Sequence, residues 1–122
     1  MEKKSIFKVD YDEEEDMLFI HSSKGKSKES VEIEEDIILD VDKNNNLVGI
    51  EFMYASEFFK VLNKKLNKAF LSKLKQVKIS MKDYRNFIFV MLEFEFGDII
   101  IEERIRLQVK QYESPLIASI AN

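Results

Sequence analysis

The sequence predicts an α+β fold: an antiparallel β-sheet of about seven strands, four before and three after one central amphipathic helix that packs on it. Three features of the chain carry that reading. Residues 6–54 alternate between apolar and polar or run apolar in short bursts bounded by polar breaks, the signature of strands joined by turns. Residues 57–76 switch to apolar spacings of three and four, the period of a helix with one buried face. Residues 77–109 return to the strand pattern, and a tail, 110–122, follows.

With 122 residues, 45% of them hydrophobic, three glycines and one proline, the chain has the size and composition of a single packed domain. A domain of this length buries roughly two thirds of its unfolded surface, so it needs neither a disulfide nor a structural metal to stay folded. It has no cysteine, which excludes thiolate metal sites, iron–sulfur clusters and cysteine nucleophiles. The start at Met1 lacks an apolar leader, and no apolar run reaches the ~18 residues that a membrane span takes. A cytoplasmic protein with no membrane contact is therefore expected.

The first strand unit, 6–54, reads as Ile6–Tyr11, Met17–Ile20, Val31–Val41 and Leu47–Tyr54, with polar breaks at 12–16, 22–30 and 42–46. Breaks of this length suit hairpins, and sequential antiparallel pairing is the expected order. Gly49 inside a strand marks a bulge or a close backbone approach. Ala55-Ser56 makes a small corner into the helix, with Ser56 placed as N-cap and Glu57 in the first turn.

On the helix, 57–76, the residues Phe59, Leu62, Leu66, Ala69, Phe70 and Leu74 form one apolar arc, and Lys60, Lys64, Lys68 and Lys75 gather opposite. These four lysines are the candidate partner-binding residues. The chain carries a net charge of −4, yet 57–76 holds six lysines against one glutamate, so the remainder stands at about −9. That balance disfavours a nucleic-acid partner, whose phosphates need neutralising. The helix also lacks arginine, and its phenylalanines lie on the buried arc.

The second strand unit, 77–109, reads as Val77–Met81, Phe87–Phe96 and Asp98–Val109. Phe87 to Leu92 is apolar at every position, which predicts a central strand covered on both faces. One helix covers one face. The other requires the tail, curling of the sheet or a second copy, so a homodimer is expected. The run Val31-x-Ile-Glu-Glu-x-Ile-x-Leu-x-Val41 recurs as Ile99-x-Ile-Glu-Glu-x-Ile-x-Leu-x-Val109. This fits an internal repeat as well as the coincidence that alternation forces on any two amphipathic strand sets.

Four arrangements resemble chemical motifs. Asp40 to Glu51 reproduces the oxygen spacing of a calcium loop, but Asn45 replaces its turn glycine and its flanks read as strands, which favours an Asn-rich hairpin turn. Gly25-Lys26-Ser27 ends like a phosphate-binding loop, but Ile20 stands where the first glycine belongs and strand alternation resumes at Val31. His21 is the single histidine, and Ser22 beside it points to the opposite face of a strand, so it reads as a structural or surface residue rather than a catalytic one. Asp12 to Asp16 reads as a solvated acidic turn; acid–base work would require it to meet Asp40 and Asp42 in one pocket. No catalytic residue, metal or cofactor is assigned from these patterns.

Across Val9 to Phe58, the series Asp10-Tyr-Asp12, Asp16-x-Leu-Phe-Ile20, Ser30-Val-Glu-Ile33, Asp40-x-Asp42, Val48-Gly-Ile-Glu51 and Ala55-Ser56 resembles the small prokaryotic family catalogued as domain of unknown function 2283. The resemblance implies a compact sheet-forming unit without an assigned activity. Some members are encoded beside small ribonuclease-like toxins, which implies an antitoxin role for those members. This chain differs in having Asn44-Asn45-Asn46 at a turn where glycine is usual, and in the helix and strands that follow. The expected function is a non-enzymatic protein–protein interaction module, antitoxin-like, whose acidic surface masks a basic partner. The alternative is nucleic-acid association through the lysine face of the helix.

Overall fold

The alternation read from the sequence sorts side chains onto two faces of one sheet. In the computed structural model, which describes residues 4–22, 29–44, 46–84 and 87–108, the elements are β1 (Ser5–Asp12), β2 (Met17–His21), β3 (Glu29–Glu34), β4 (Ile37–Val41), β5 (Leu47–Phe52), α1 (Ala55–Leu62), α2 (Lys68–Lys73), β6 (Gln76–Asp83), β7 (Phe87–Phe96) and β8 (Ile99–Gln108). All eight strands join one antiparallel sheet in the order β3-β4-β5-β2-β1-β6-β7-β8. The two edge strands, β3 and β8, approach each other to within 8 Å between Cα atoms, so the sheet curls into a half-barrel. Its inner face carries the buried row Val31, Leu39, Ile50, Ile20 and Val9, continued by Val77, Phe94 and Ile101. Phe59 of α1 is fully buried there, with its ring 4.9 Å from that of Phe52 and 5.4 Å from that of Phe94.

Eight strands replace the expected seven because residues 31–41 form the hairpin β3–β4. Glu34 pairs with Ile37, leaving Glu35-Asp36 as the turn, and a register shift lies between Glu32 and Glu34. The two-residue turn alone would swap the parity of the two strands, but the register shift between Glu32 and Glu34 restores it, so Val31, Ile33, Ile37, Leu39 and Val41 are all buried, as one uninterrupted strand would have had them. Pairing is also not sequential throughout: β2 lies between β1 and β5, and β1 pairs across the helices with β6.

The single helix 57–76 is two short helices. Asn63 ends α1 in an extended conformation, and its Oδ1 accepts from the Lys65 amide at 2.9 Å. Asn67 caps α2, its Oδ1 accepting from the Phe70 amide at 2.9 Å. Asparagine side chains that bond nearby amides compete with helix hydrogen bonds, and two such residues four apart break the helix between them. The break changes the buried set: Phe59, Leu66, Leu71 and Leu74 are buried, Phe70 is half-buried, and Leu62 and Ala69 are exposed. The N-cap is Tyr54, in the left-handed region at φ 52, and Ser56 stands inside the first turn.

The two strand units differ in geometry. Val9 faces Ile20 and Tyr11 faces Leu18 in β1–β2, while Ile79 faces Leu92 and Met81 faces Val90 in β6–β7. Aligning the two units by sequence would set Ile79 against Val90, two residues out of register. The segment matching hairpin β3–β4 is the single strand β8. The expected tail, 110–122, lies outside the described residues.

The Phe59→Ala variant should lose ~3–5 kcal/mol of stability, because a buried ring shared by α1, β5 and β7 leaves a cavity. Urea unfolding checks this as a lower midpoint with unchanged slope.

Candidate functional site

The turn between β1 and β2 holds the start of α1 in place. Asp16, buried and in the left-handed region at φ 54, ends that turn. Its Oδ1 accepts from the Tyr11 hydroxyl at 2.5 Å and from the Ser56 amide at 2.9 Å; its Oδ2 accepts from the Ser56 hydroxyl at 2.7 Å. Its backbone carbonyl accepts from the Ala55 amide at 2.9 Å. Asp16 thus satisfies N-terminal amides of a helix whose own N-cap side chain makes no capping bond. Burial opposes its charge, but the hydrogen bonds from Tyr11 and Ser56, with Lys68 nearby, outweigh burial and hold the carboxyl below the usual range. Burial, then the Asp16 carboxylate, pushes the Tyr11 phenol well above its ordinary value.

Two grooves flank this junction. One, of about 450 Å³, is lined by Glu34 at the end of β3 and Glu35 and Asp36 of the β3–β4 turn, with Tyr54, Glu57 and Phe58 at the start of α1. The Met53 amide donates to the Asp36 carbonyl at 2.9 Å and ties its two walls together. No lysine or arginine lines it among the described residues, and the Tyr54 side chain stands 58% exposed. Sequence reasoning ran one strand through Glu35-Asp36 and so missed this convergence; the signal was the Glu34-Glu35-Asp36 run, which also fits a turn.

The other groove, of about 470 Å³, lies between α1 and α2 and is lined by Ser56, Glu57, Lys60, Lys64, Asn67 and Lys68 with Ala69. Three of the four candidate lysines therefore converge. Lys75 lies beyond the end of α2, exposed and outside this groove. The helix break brings the three together around a concave surface instead of a straight helix face.

The remaining motifs resolve locally. Asp42 Oδ1 accepts from the amides of Asn44 at 2.8 Å and Asn46 at 2.9 Å, so the calcium-like segment is a hairpin turn between strands, as its flanks predicted. The Asn46 and Asn44 amides hold the Asp42 carboxyl below its usual range. The Gly25-Lys26-Ser27 segment lies outside the described residues. His21 Nε2 lies 2.7 Å from Asp10 Oδ2 on the exposed outer face. Nearby, Ser30 donates to Asp40 at 2.6 Å, and burial, then Asp40, pushes the Glu51 carboxyl up. A Cβ at Gly49 would meet Asp40 Oδ2 at 3.0 Å and the Ile20 carbonyl at 3.1 Å, which is the close approach expected there. The acidic turn 12–16 sits at the α1 end of the strands and Asp42 at the opposite end, so the two carboxylate groups are not gathered.

With this geometry in view, residues 8–56 match the family described as Protein of unknown function (DUF2283). The matched segment runs from within β1 through β5, five contiguous strands of the eight, and ends on Ser56, the residue that Asp16 binds. An uncharacterized protein of Methanocaldococcus jannaschii is 43% identical over 54 residues, 44% of this chain; the chain spans 46% of that relative's length. No solved structure matches the chain.

Replacing Asp16 by Ala should cost ~2–3 kcal/mol, from the lost cap and the charge-assisted hydrogen bonds. Because the folded carboxyl titrates low, its contribution is complete above about pH 4 and is lost as the pH falls through the folded value. Urea midpoints of parent and variant should therefore differ widely at neutral pH and converge in acid.

Proposed function

We propose that this chain is a non-enzymatic interaction module that engages a basic protein partner through the carboxylate groove beside α1. The observation that carries the reading is the meeting of Glu34, Glu35, Asp36 and Glu57 around the exposed Tyr54, without a lining cation among the described residues. Carboxylates of one sign in a concave surface speed encounter with a positive partner. A tyrosine in their midst supplies the anchor that charge alone does not. A cytoplasmic enzyme with a positive substrate-binding surface, such as a ribonuclease, is the kind of partner such a groove would mask, and an antitoxin-like role follows from that. Self-association belongs to the same proposal: the tip of the β7–β8 hairpin exposes Phe96, Ile99 and Ile100 at 40%, 48% and 63%, an apolar edge suited to a second copy.

A labelled lysine- and arginine-rich peptide should bind the full chain at low salt and dissociate as salt rises. Tyr54→Ala should weaken binding by about tenfold, and the pair Glu34→Lys with Glu57→Lys should abolish it. Glu32→Lys on the outer face should leave it unchanged. Equal loss in the Glu32 variant would mean that net charge alone attracts the peptide, and the groove would have no special role.

A further inference from the structure

The outer face of the half-barrel changes character along β7. Toward the β7–β8 turn, Glu93 and Glu95 are paired with Lys4 and Lys78 at 3.1–3.2 Å. Toward the other end stand three mutually contacting rings. Tyr84 stacks on Phe87 with centroids 4.8 Å apart, and Phe89 meets Phe87 edge-on at 5.2 Å. Three cations rest on them: Arg106 lies 4.3 Å from the Phe87 centroid, Arg104 5.7 Å from that of Phe89, and Lys82 5.4 Å from that of Tyr84. Among the described residues no carboxylate pairs with any of the three. A hollow of about 190 Å³ opens between Lys82, Tyr84, Phe89, Met91 and Arg104.

We propose that this face binds single-stranded nucleic acid, with bases stacking on the Tyr84, Phe87 and Phe89 cluster and phosphates meeting Lys82, Arg104 and Arg106. Flat rings accept any base, and unpaired cations beside them neutralise the backbone, which is how strand-binding surfaces combine affinity with sequence tolerance. Guanidinium planes lying on rings add a stacking surface of their own. Twofold pairing of this face with a second copy is disfavoured, since it sets three cations against three. The arginine–aromatic combination that the helix lacks is thus present on the sheet. Its sequence signal is the period-two series Phe87-x-Phe89-x-Met91 facing Arg104-x-Arg106 in the β7–β8 register.

The test is fluorescence anisotropy of a labelled oligothymidylate titrated with the full chain. Binding at low salt should weaken with a slope of log affinity on log salt near −2, about −0.7 for each of three contacted phosphates. Arg104→Gln with Arg106→Gln should bring that slope to about −0.7, and Tyr84→Ala should weaken binding by about tenfold, both with unchanged circular dichroism. The triple variant Lys60→Glu, Lys64→Glu, Lys68→Glu in the helix groove should still bind. The proposal is overturned by absence of binding at low salt, or by equal affinity for duplex. It is also overturned if binding is lost in the lysine variant and kept in the arginine variant, or if the chain forms a dimer that the arginine variant abolishes. The peptide assay for the carboxylate groove uses other residues, so either reading can fail alone.

Discussion

The carboxylate of Asp16 is the constraint on which the arrangement of the molecule depends. It receives hydrogen bonds from a strand residue, Tyr11, and from both the amide and the hydroxyl of Ser56 at the start of α1. Residues forty positions apart are joined at the point where sheet turns into helix. This fixes the direction in which α1 leaves β5, and hence brings Phe59 onto Phe52 and Phe94 in the core. The same junction sets Glu57 and Tyr54 against the β3–β4 turn, so the acidic groove exists because the helix start is held there. Tyr11, Asp16 and Ser56 all fall within the segment, residues 8–56, that matches the family model.

The half-barrel divides its tasks by face. Its inner face is apolar from β3 to β8 and holds the helices, and its outer face is free to vary in charge without disturbing the core. Phe87, Phe89 and Met91, the outer members of the run that looked buried on both sides, are half-buried, with arginine side chains over Phe87 and Phe89 and no further layer among the described residues. Arginine stems cover apolar rings while their heads stay in water. The half-burial of these rings thus follows from side chains of the same sheet.

Much of the architecture was legible because burial follows period. The strands β1, β2, β5, β6, β7 and β8, the helix start near residue 56 and the tight approach at Gly49 follow from alternation, spacing and glycine placement. The β3–β4 hairpin was hidden because the register shift beside its two-residue turn restores parity, leaving Ile33 and Ile37 on the face where a straight strand would put them. The helix break was written in Asn63 and Asn67, but an apolar spacing of three and four continues across it and outweighs them. The grooves were the least legible. Glu34 to Asp36 meets Tyr54 and Glu57 only through the hairpin and the αL turn at Tyr54, and sequence neighbours give no distance between them.

The place of β1 in the sheet has a consequence for how the chain is made. Its two neighbours are β2, close in sequence, and β6, whose Ile79 pairs with Ser5. During synthesis from the N-terminus, the strands β3-β4-β5-β2-β1 can assemble first, and they leave the hydrogen-bonding edge of β1 open until β6 has emerged. An open edge beside an apolar face is a template for unwanted pairing. The helices α1 and α2 lie in this interval of the chain, so they emerge before the strand that closes the edge and are available to cover the apolar inner face while it is open.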